Sequence, residues 1–233
     1  MLSITAIEDR LNNIQNRIQK AATNAGRKYK NITLVAITKS FPVKIWEQVL
    51  NINITTLGES RIQETEKKSK AFHKRDKIEL HLIGHLQSNK ARKAVELFDV
   101  IETIDSIKLA EKIDKICGII NKKQNIYLQI NIEKDPRKHG ISVKKLPAAA
   151  REITKMKNIN LIGIMTIPSN RLAQSELGLV YRKTKEVRDK ICKSINEKCK
   201  NISMGMSNDY ETAIVEGATH IRIGTGLFGP RSY

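Results

Sequence analysis

Lys39 closes a strand-like run, Leu34-Val35-Ala36-Ile37-Thr38-Lys39-Ser40, at a place where a lysine can do covalent chemistry. Four apolar residues lead into β-branched Thr38, and strand alternation puts Val35, Ile37 and Lys39 on one face. If that face lines a barrel, Lys39 stands in the mouth at the carboxyl end of the strand, where barrel enzymes keep their chemistry. A lysine desolvated there loses its proton and attacks a carbonyl to form a Schiff base. A solvated lysine ending a strand is the plainer alternative for this segment alone. The rest of the chain has to decide.

Strand-like runs begin near Ile32, Ile54, Ile78, Val100, Ile126, Leu161, Ile202 and His220, the first being the one that leads to Lys39. Just past them lie Lys39, Gly58-Glu59-Ser60-Arg61, Gly84-His85-Leu86-Gln87-Ser88-Asn89, the stretch Glu133 to Gly140, Met165-Thr166-Ile167-Pro168, the stretch Ser203 to Asp209, and Arg222-Ile223-Gly224-Thr225-Gly226. Gathered at one mouth, these supply a lysine, an arginine, hydroxyl side chains and glycines that let backbone N–H groups approach a ligand. Ser207 stands ahead of a helical segment, Asp209 to Glu216, whose N-terminus attracts anions. Barrels often bind phosphate with the loops after strands seven and eight, so Ser207, Gly224 and Thr225 form a candidate phosphate site. Gly224 to Gly229 also matches GxGxxG. The dinucleotide fingerprint further needs a helix and an acidic residue ~20 positions on, and the sequence stops at Tyr233. The histidines say less: His81 reads as structural, His85 and His139 as mouth residues, and no spacing suggests a metal site.

These residues need elements to hold them. Ser3 is a candidate N-cap for a helix carrying Ile4, Ile7, Leu11, Ile14 and Ile18 on one face, with Gly26 as its stop. Helical segments then fall at Val43 to Asn51, Arg61 to Ala71, Asn89 to Leu97, Ile107 to Asn121, Lys144 to Met156, Ala173 to Cys199 and Asp209 to Glu216, with Ser88 and Ser106 as caps. Eight strands separated by helices predict a (β/α)8 barrel in one domain, residues 1–233, with an extra N-terminal helix filling the place of a helix missing after strand eight. An open doubly wound sheet is the competing architecture.

The net charge is +18 and aromatics are 4% of residues. Because the lysines are scattered over almost every helix, a solvated basic surface is expected rather than a dedicated nucleic-acid face. No leader and no membrane-length apolar run are visible. Cys117, Cys192 and Cys199 form no CxxC pair, which fits a reducing cytosol; Cys192 and Cys199 are expected to pack on one helix.

Several of these segments resemble the pyridoxal phosphate homeostasis protein family. They are Val35-Ala36-Ile37-Thr38-Lys39, Leu57 to Glu64, His81 to Lys90, Lys138-His139-Gly140, Gly163 to Pro168, Ser203-Met204-Gly205-Met206-Ser207 and Arg222-Ile223-Gly224-Thr225. The likeness runs the length of the chain, in order. It implies a TIM barrel of the fold-type III kind, similar to the N-terminal domain of alanine racemase, carrying pyridoxal 5'-phosphate. Lys39 matches the lysine that forms the Schiff base; Ser207, Gly224 and Thr225 match the phosphate cradle; Arg222 matches the arginine facing the pyridine nitrogen. Ser60 departs from the pattern, since the family usually has asparagine there.

A guanidinium donates hydrogen bonds and accepts no proton, so a ring nitrogen facing Arg222 stays unprotonated and the cofactor is a weak electron sink. The expected function is a protein that carries or buffers the cofactor in vitamin B6 and amino-acid homeostasis, with no catalysis beyond Schiff-base exchange. The expected partners are pyridoxal phosphate and the apoenzymes that would receive it, with no membrane, no specific nucleic acid, and a monomer or weak dimer. The competing reading is a racemase or lyase using Lys39, which needs a Tyr, Cys or His base opposite the lysine. A class I aldolase and a nucleic-acid-binding protein are the weaker rivals.

Overall fold

The structure, a computed structural model, describes residues 3–230. In chain order the elements are α1 (Ile4–Asn24), β1 (Thr33–Ile37), α2 (Lys44–Asn51), β2 (Thr56–Glu59), α3 (Ile62–Ala71), β3 (Glu79–Leu82), α4 (Ala91–Leu97), β4 (Val100–Ile104), α5 (Ile107–Ile119), β5 (Gln124–Asn131), β6 (Ile141–Ser142), α6 (Leu146–Thr154), β7 (Ile159–Met165), α7 (Gln174–Ser194), β8 (Asn201–Met206), α8 (Tyr210–Val215), β9 (His220–Ile223) and α9 (Thr225–Phe228). Every strand pairing is parallel, and the ring β1-β2-β3-β4-β5-β7-β8-β9 closes on β1. This is the (β/α)8 barrel, with the two-residue β6 added beside the end of β5. A closed ring leaves no strand edge, which disposes of the open-sheet alternative.

Several strands carry polar residues inward and apolar residues outward. On β3, Glu79 and His81 alternate with Leu80 and Leu82; on β9, His220 and Arg222 alternate with Ile221 and Ile223. Leu80, Leu82, Ile221 and Ile223 join the large apolar layer between strands and helices. The lumen holds a small apolar cluster of its own, Val100, Tyr127 and Met165. Gly163 makes room for Tyr127, because a Cβ there would meet the ring at 2.6 Å. Polar side chains facing the lumen must satisfy one another, and that sets up the site.

Ser3 caps α1 as expected, accepting from the Ala6 N–H, and Ser106 caps α5 through the Leu109 N–H. The α1 helix packs on α8 and α9. Other expectations shift. The first strand ends at Ile37, so Lys39 lies in the turn beyond it. Ser88 opens a 3-10 turn, Ser88–Lys90, ahead of α4 rather than capping it. The helix expected to reach Cys199 stops at Ser194. Asn196 ends it, reaching to the Leu161 carbonyl and accepting from the Lys198 N–H, so Cys199 is buried beyond the helix and does not share its face with Cys192. The place after the last strand is not vacant: α9, one short turn, begins at Thr225. Tyr233, invoked against the dinucleotide fingerprint, lies outside the described residues. No helix among the described residues is long and apolar enough to cross a membrane.

Candidate functional site

Lys39 is placed by its neighbours on both sides. Thr38 is fully buried; its hydroxyl donates to Glu59 Oε1 at 2.7 Å, and its carbonyl accepts from Lys68 Nζ at 2.9 Å. Ser40 has φ +66°, uncommon for a side-chain-bearing residue. Its N–H donates to Glu64 Oε1 at 2.7 Å, which pins this turn. Lys68 ties the two carboxylates together, 2.7 Å from Glu59 and 2.7 Å from Glu64, and the Trp46 indole donates to Thr38 and Glu59. Burial raises the Glu59 pKa despite Lys68. Burial alone would raise that of Glu64 too, but the hydrogen bonds from Lys68 and Ser40 outweigh it and lower it. Glu59, read from sequence as a mouth residue, is instead part of a polar clamp under the turn that carries Lys39.

Lys39, Ser207, Arg222, Gly224 and Thr225 all line one cleft of about 500 Å³, together with Ile37, Ile83 and Met206. That is within the ~300–1,000 Å³ range of small-molecule sites. The Ser207 hydroxyl accepts from the Gly226 N–H at 3.1 Å, joining the loops after β8 and β9. A Cβ on Gly226 would crowd Ser207 at 3.3–3.4 Å, so glycine permits this close approach. The expected role of the α8 N-terminus changes: Asp209 already sits there as N-cap, accepting from the Met206 N–H, and Glu211 follows in the first turn. At the start of α9, Gly224 and Thr225 line the cleft, while the Gly226 N–H is taken by Ser207.

Arg222 reaches the cleft from inside the lumen and is 3% exposed. Its Nη1 donates to Ser203 Oγ at 2.6 Å and its Nη2 to the Thr166 carbonyl at 2.8 Å. Ser203 in turn donates to Glu102 Oε2 at 2.6 Å, and Glu102 Oε1 lies 2.6 Å from His81 Nδ1. His81 is therefore structural, as expected, but as half of a buried ion pair. Burial would lower its pKa; the hydrogen bond to Glu102 and the Glu79 carboxylate 3.7 Å from Nε2 outweigh that and raise it to about 9. Burial would raise the pKa of Glu102; His81, Arg222 and Ser203 bring it down to about 2. His220, whose ring centroid is 6.0 Å from that of His81, is pushed down to about 4, first by burial and then by the charge on His81, and stays neutral.

The signs define a pH window. His81 stabilises the fold fully below pH 6.5 and loses that contribution as pH rises through about 9. Glu102 stabilises above pH 4.5 and loses its contribution as pH falls through about 2. Urea unfolding of wild type and Glu102→Gln is expected to differ more at pH ~5.5 than at pH ~9.5. An equal difference at both would mean the pair is not ionised.

His85 and His139 meet at the rim. Their rings stack at 3.6 Å and 9°, and their Nδ1 atoms lie 3.4 and 3.7 Å from one Asp105 oxygen. The sequence suggests no such cluster, although all three side chains can bind metals. Their potential ligand atoms all lie within 4.8 Å of one another. Ser60 is not among the residues lining the cleft; its backbone packs on Gly84 so closely that a Cβ there would meet its carbonyl at 2.2 Å. Sequence reasoning missed Glu102. The visible signal was an acidic residue inside the otherwise apolar and β-branched run Val100-Ile101-Glu102-Thr103-Ile104, all of it buried.

A family model described as "Alanine racemase, N-terminal domain" matches residues 10–232. The "Pyridoxal phosphate homeostasis protein" of Aquifex aeolicus is 34% identical over 225 residues, covering 97% of this chain and 98% of that one. The protein of the same name from Synechocystis is 37% identical over 201 residues, covering 86% and 92%. Among solved structures, PipY of Synechococcus elongatus with PLP bound is 30% identical and covers 91% of this chain and 100% of that one, with a TM-score of 0.82. Alanine racemase of Clostridium difficile, at 15% identity and a TM-score of 0.71 over 98% of this chain and 58% of that one, shares the fold. With a closed parallel barrel, a lysine-bearing turn at its mouth and relatives matched over almost the whole chain, this protein belongs to the pyridoxal phosphate homeostasis protein family.

Proposed function

We propose that the chain, acting as one barrel domain over residues 1–233, carries or buffers pyridoxal 5'-phosphate in vitamin B6 and amino-acid homeostasis, with Lys39 holding it as a reversible Schiff base. The observation that carries this reading is the convergence of Lys39, Arg222, Ser207, Gly224 and Thr225 on one cleft. The donor set fits the group. Ser207, Thr225 and the glycine backbone suit a phosphate, and a buried guanidinium suits a neutral ring nitrogen. When bound, the cofactor supplies an aldehyde that an amine can capture and release.

The residues do the rest. The clamp of Glu59, Glu64 and Lys68 fixes the turn that presents the Lys39 amine. Arg222 donates hydrogen bonds and cannot give a proton up to the ring, so it disfavours chemistry that needs a strong electron sink. Among the described residues lining the cleft there is no tyrosine, cysteine or histidine to serve as a second base. Asp209, the acid there, accepts from the Met206 N–H. This favours a carrier over a racemase or lyase. A carrier would release its cofactor to apoenzymes by exchange of Lys39 for a competing amine, as a soluble cytoplasmic monomer or weak dimer.

The phosphate assignment has a direct test. The double variant Ser207→Ala, Thr225→Ala is expected to bind pyridoxal phosphate ~10–100-fold more weakly, the loss of a hydrogen bond to a charged group. Its affinity for pyridoxal, which lacks the phosphate, should hold. Equal losses for the two ligands, measured by absorbance titration, would move the phosphate elsewhere.

A further inference from the structure

We propose that Ser203, Glu102 and His81 are positioning residues for Arg222, holding its guanidinium as a fixed donor toward the ring nitrogen of the bound cofactor. The inference rests on the reading of Arg222 given above and extends it to three residues that do not line the cleft.

The hydrogen bonds run in one direction. Arg222 Nη1 is a donor only, so Ser203 Oγ must accept from it at 2.6 Å. The Ser203 proton is then free to go to Glu102 Oε2, also at 2.6 Å. The other Glu102 oxygen faces His81 Nδ1 at 2.6 Å, which makes that nitrogen the proton-bearing one. The chain is therefore Arg222 to Ser203 to Glu102, met from the far side by His81. The Thr166 carbonyl holds the other arm of the guanidinium at 2.8 Å. With both arms taken, the plane of the fork is set.

The network crosses the lumen. Glu102 is on β4 and Ser203 on β8, which are three strands apart in the ring. Glu102 is 0% and Ser203 0% exposed. A carboxylate buried there is costly unless paired, and His81 alone would pair it. The connection through Ser203 to a cleft-lining arginine is what ties it to the ligand. The guanidinium itself disfavours a proton on the nitrogen.

The test compares pyridoxal phosphate with the analogue whose ring nitrogen is replaced by C–H. Full-length wild type, Ser203→Ala and Glu102→Gln are titrated with each. The wild type should prefer pyridoxal phosphate by ~10–100-fold, the worth of a hydrogen bond from a charged donor. Both variants should bring that preference within ~3-fold while binding the analogue as well as wild type does. A preference that stays at the wild-type value, or an equal loss for both ligands, would overturn the inference, since a structural role alone lowers both together. If Glu102→Gln does not fold, Ser203→Ala, which removes one oxygen, decides the matter alone. A wild type that binds neither compound would overturn the cofactor reading itself, and this inference with it. That failure is distinct from a lost or retained preference.

Discussion

Replacing Lys39 with alanine abolishes the aldimine absorbance band that the wild-type protein is expected to acquire with pyridoxal phosphate. The band comes from conjugation of the bound aldehyde carbon with the lysine nitrogen, so no other contact in the cleft can restore it. Borohydride should fix the cofactor to wild type and leave nothing covalent on Lys39→Ala. The variant keeps Arg222 and the Ser207–Gly226 junction, so residual, non-covalent binding of the phosphate compound, without the aldimine band, is the expected remainder. The stability of Lys39→Ala should stay near that of wild type, because Lys39 is half-buried in a turn whose pinning comes from Thr38 and Ser40. A Lys39→Ala protein that still reduces to a covalent adduct would place the Schiff base on another lysine. A wild type that stays colourless would revive the aldolase reading. Binding of nucleic acid that fell steeply with salt would instead give the +18 charge a role.

Lys68→Met is expected to cost about 3–5 kcal/mol, the usual penalty for removing one partner of a buried ion pair. The side chain is buried and holds three acceptors: the Thr38 carbonyl, Glu59 and Glu64. Methionine keeps most of the volume, so the loss is electrostatic. For a chain of this length the melting temperature should fall by roughly 6–20 °C. The pH dependence is diagnostic. The Glu59 pKa is already raised by burial, and without Lys68 it rises further. A raised carboxyl pKa means that Glu59 is tolerated best in its protonated form, below its unfolded pKa. That tolerance is lost as pH rises through the folded value. The defect of Lys68→Met should therefore be smaller at pH ~5 than at pH ~8. A defect that does not vary with pH would mean that Glu59 is not the group left unpaired. Because the clamp fixes Ser40 at positive φ, the variant should also take up cofactor more slowly or less completely at a temperature where it remains folded.

Much of this was legible from local pattern. The spacing of Ile7, Leu11, Ile14 and Ile18 makes α1, and Ser3 and Ser106 cap helices because their side chains reach N–H groups three residues on. The apolar run before Lys39 makes a strand wherever it is packed. Strand-helix alternation favours a parallel sheet and eight strands favour a barrel, while an open doubly wound sheet stayed in competition until the ring was seen to close. The loop residues past each strand then share one end, so Lys39, Ser207, Arg222, Gly224 and Thr225 could be grouped before any coordinates.

What local pattern could not reach were the partners that cross the barrel or lie beneath it. Nothing near Glu102 in sequence points to Ser203, 101 positions away. Nothing in the helical face of α3 says that Lys68 turns inward to Thr38 and Glu59. Strand periodicity tells which face a side chain takes, but not which strand stands opposite. That is decided by closure of the ring and by the reach of each side chain across it. The sequence by itself determined the elements, their order and the lysine that can do the chemistry. Only the tertiary structure decided how Lys39 and Arg222 are held, because buried charges must find partners wherever closure brings them within hydrogen-bonding distance.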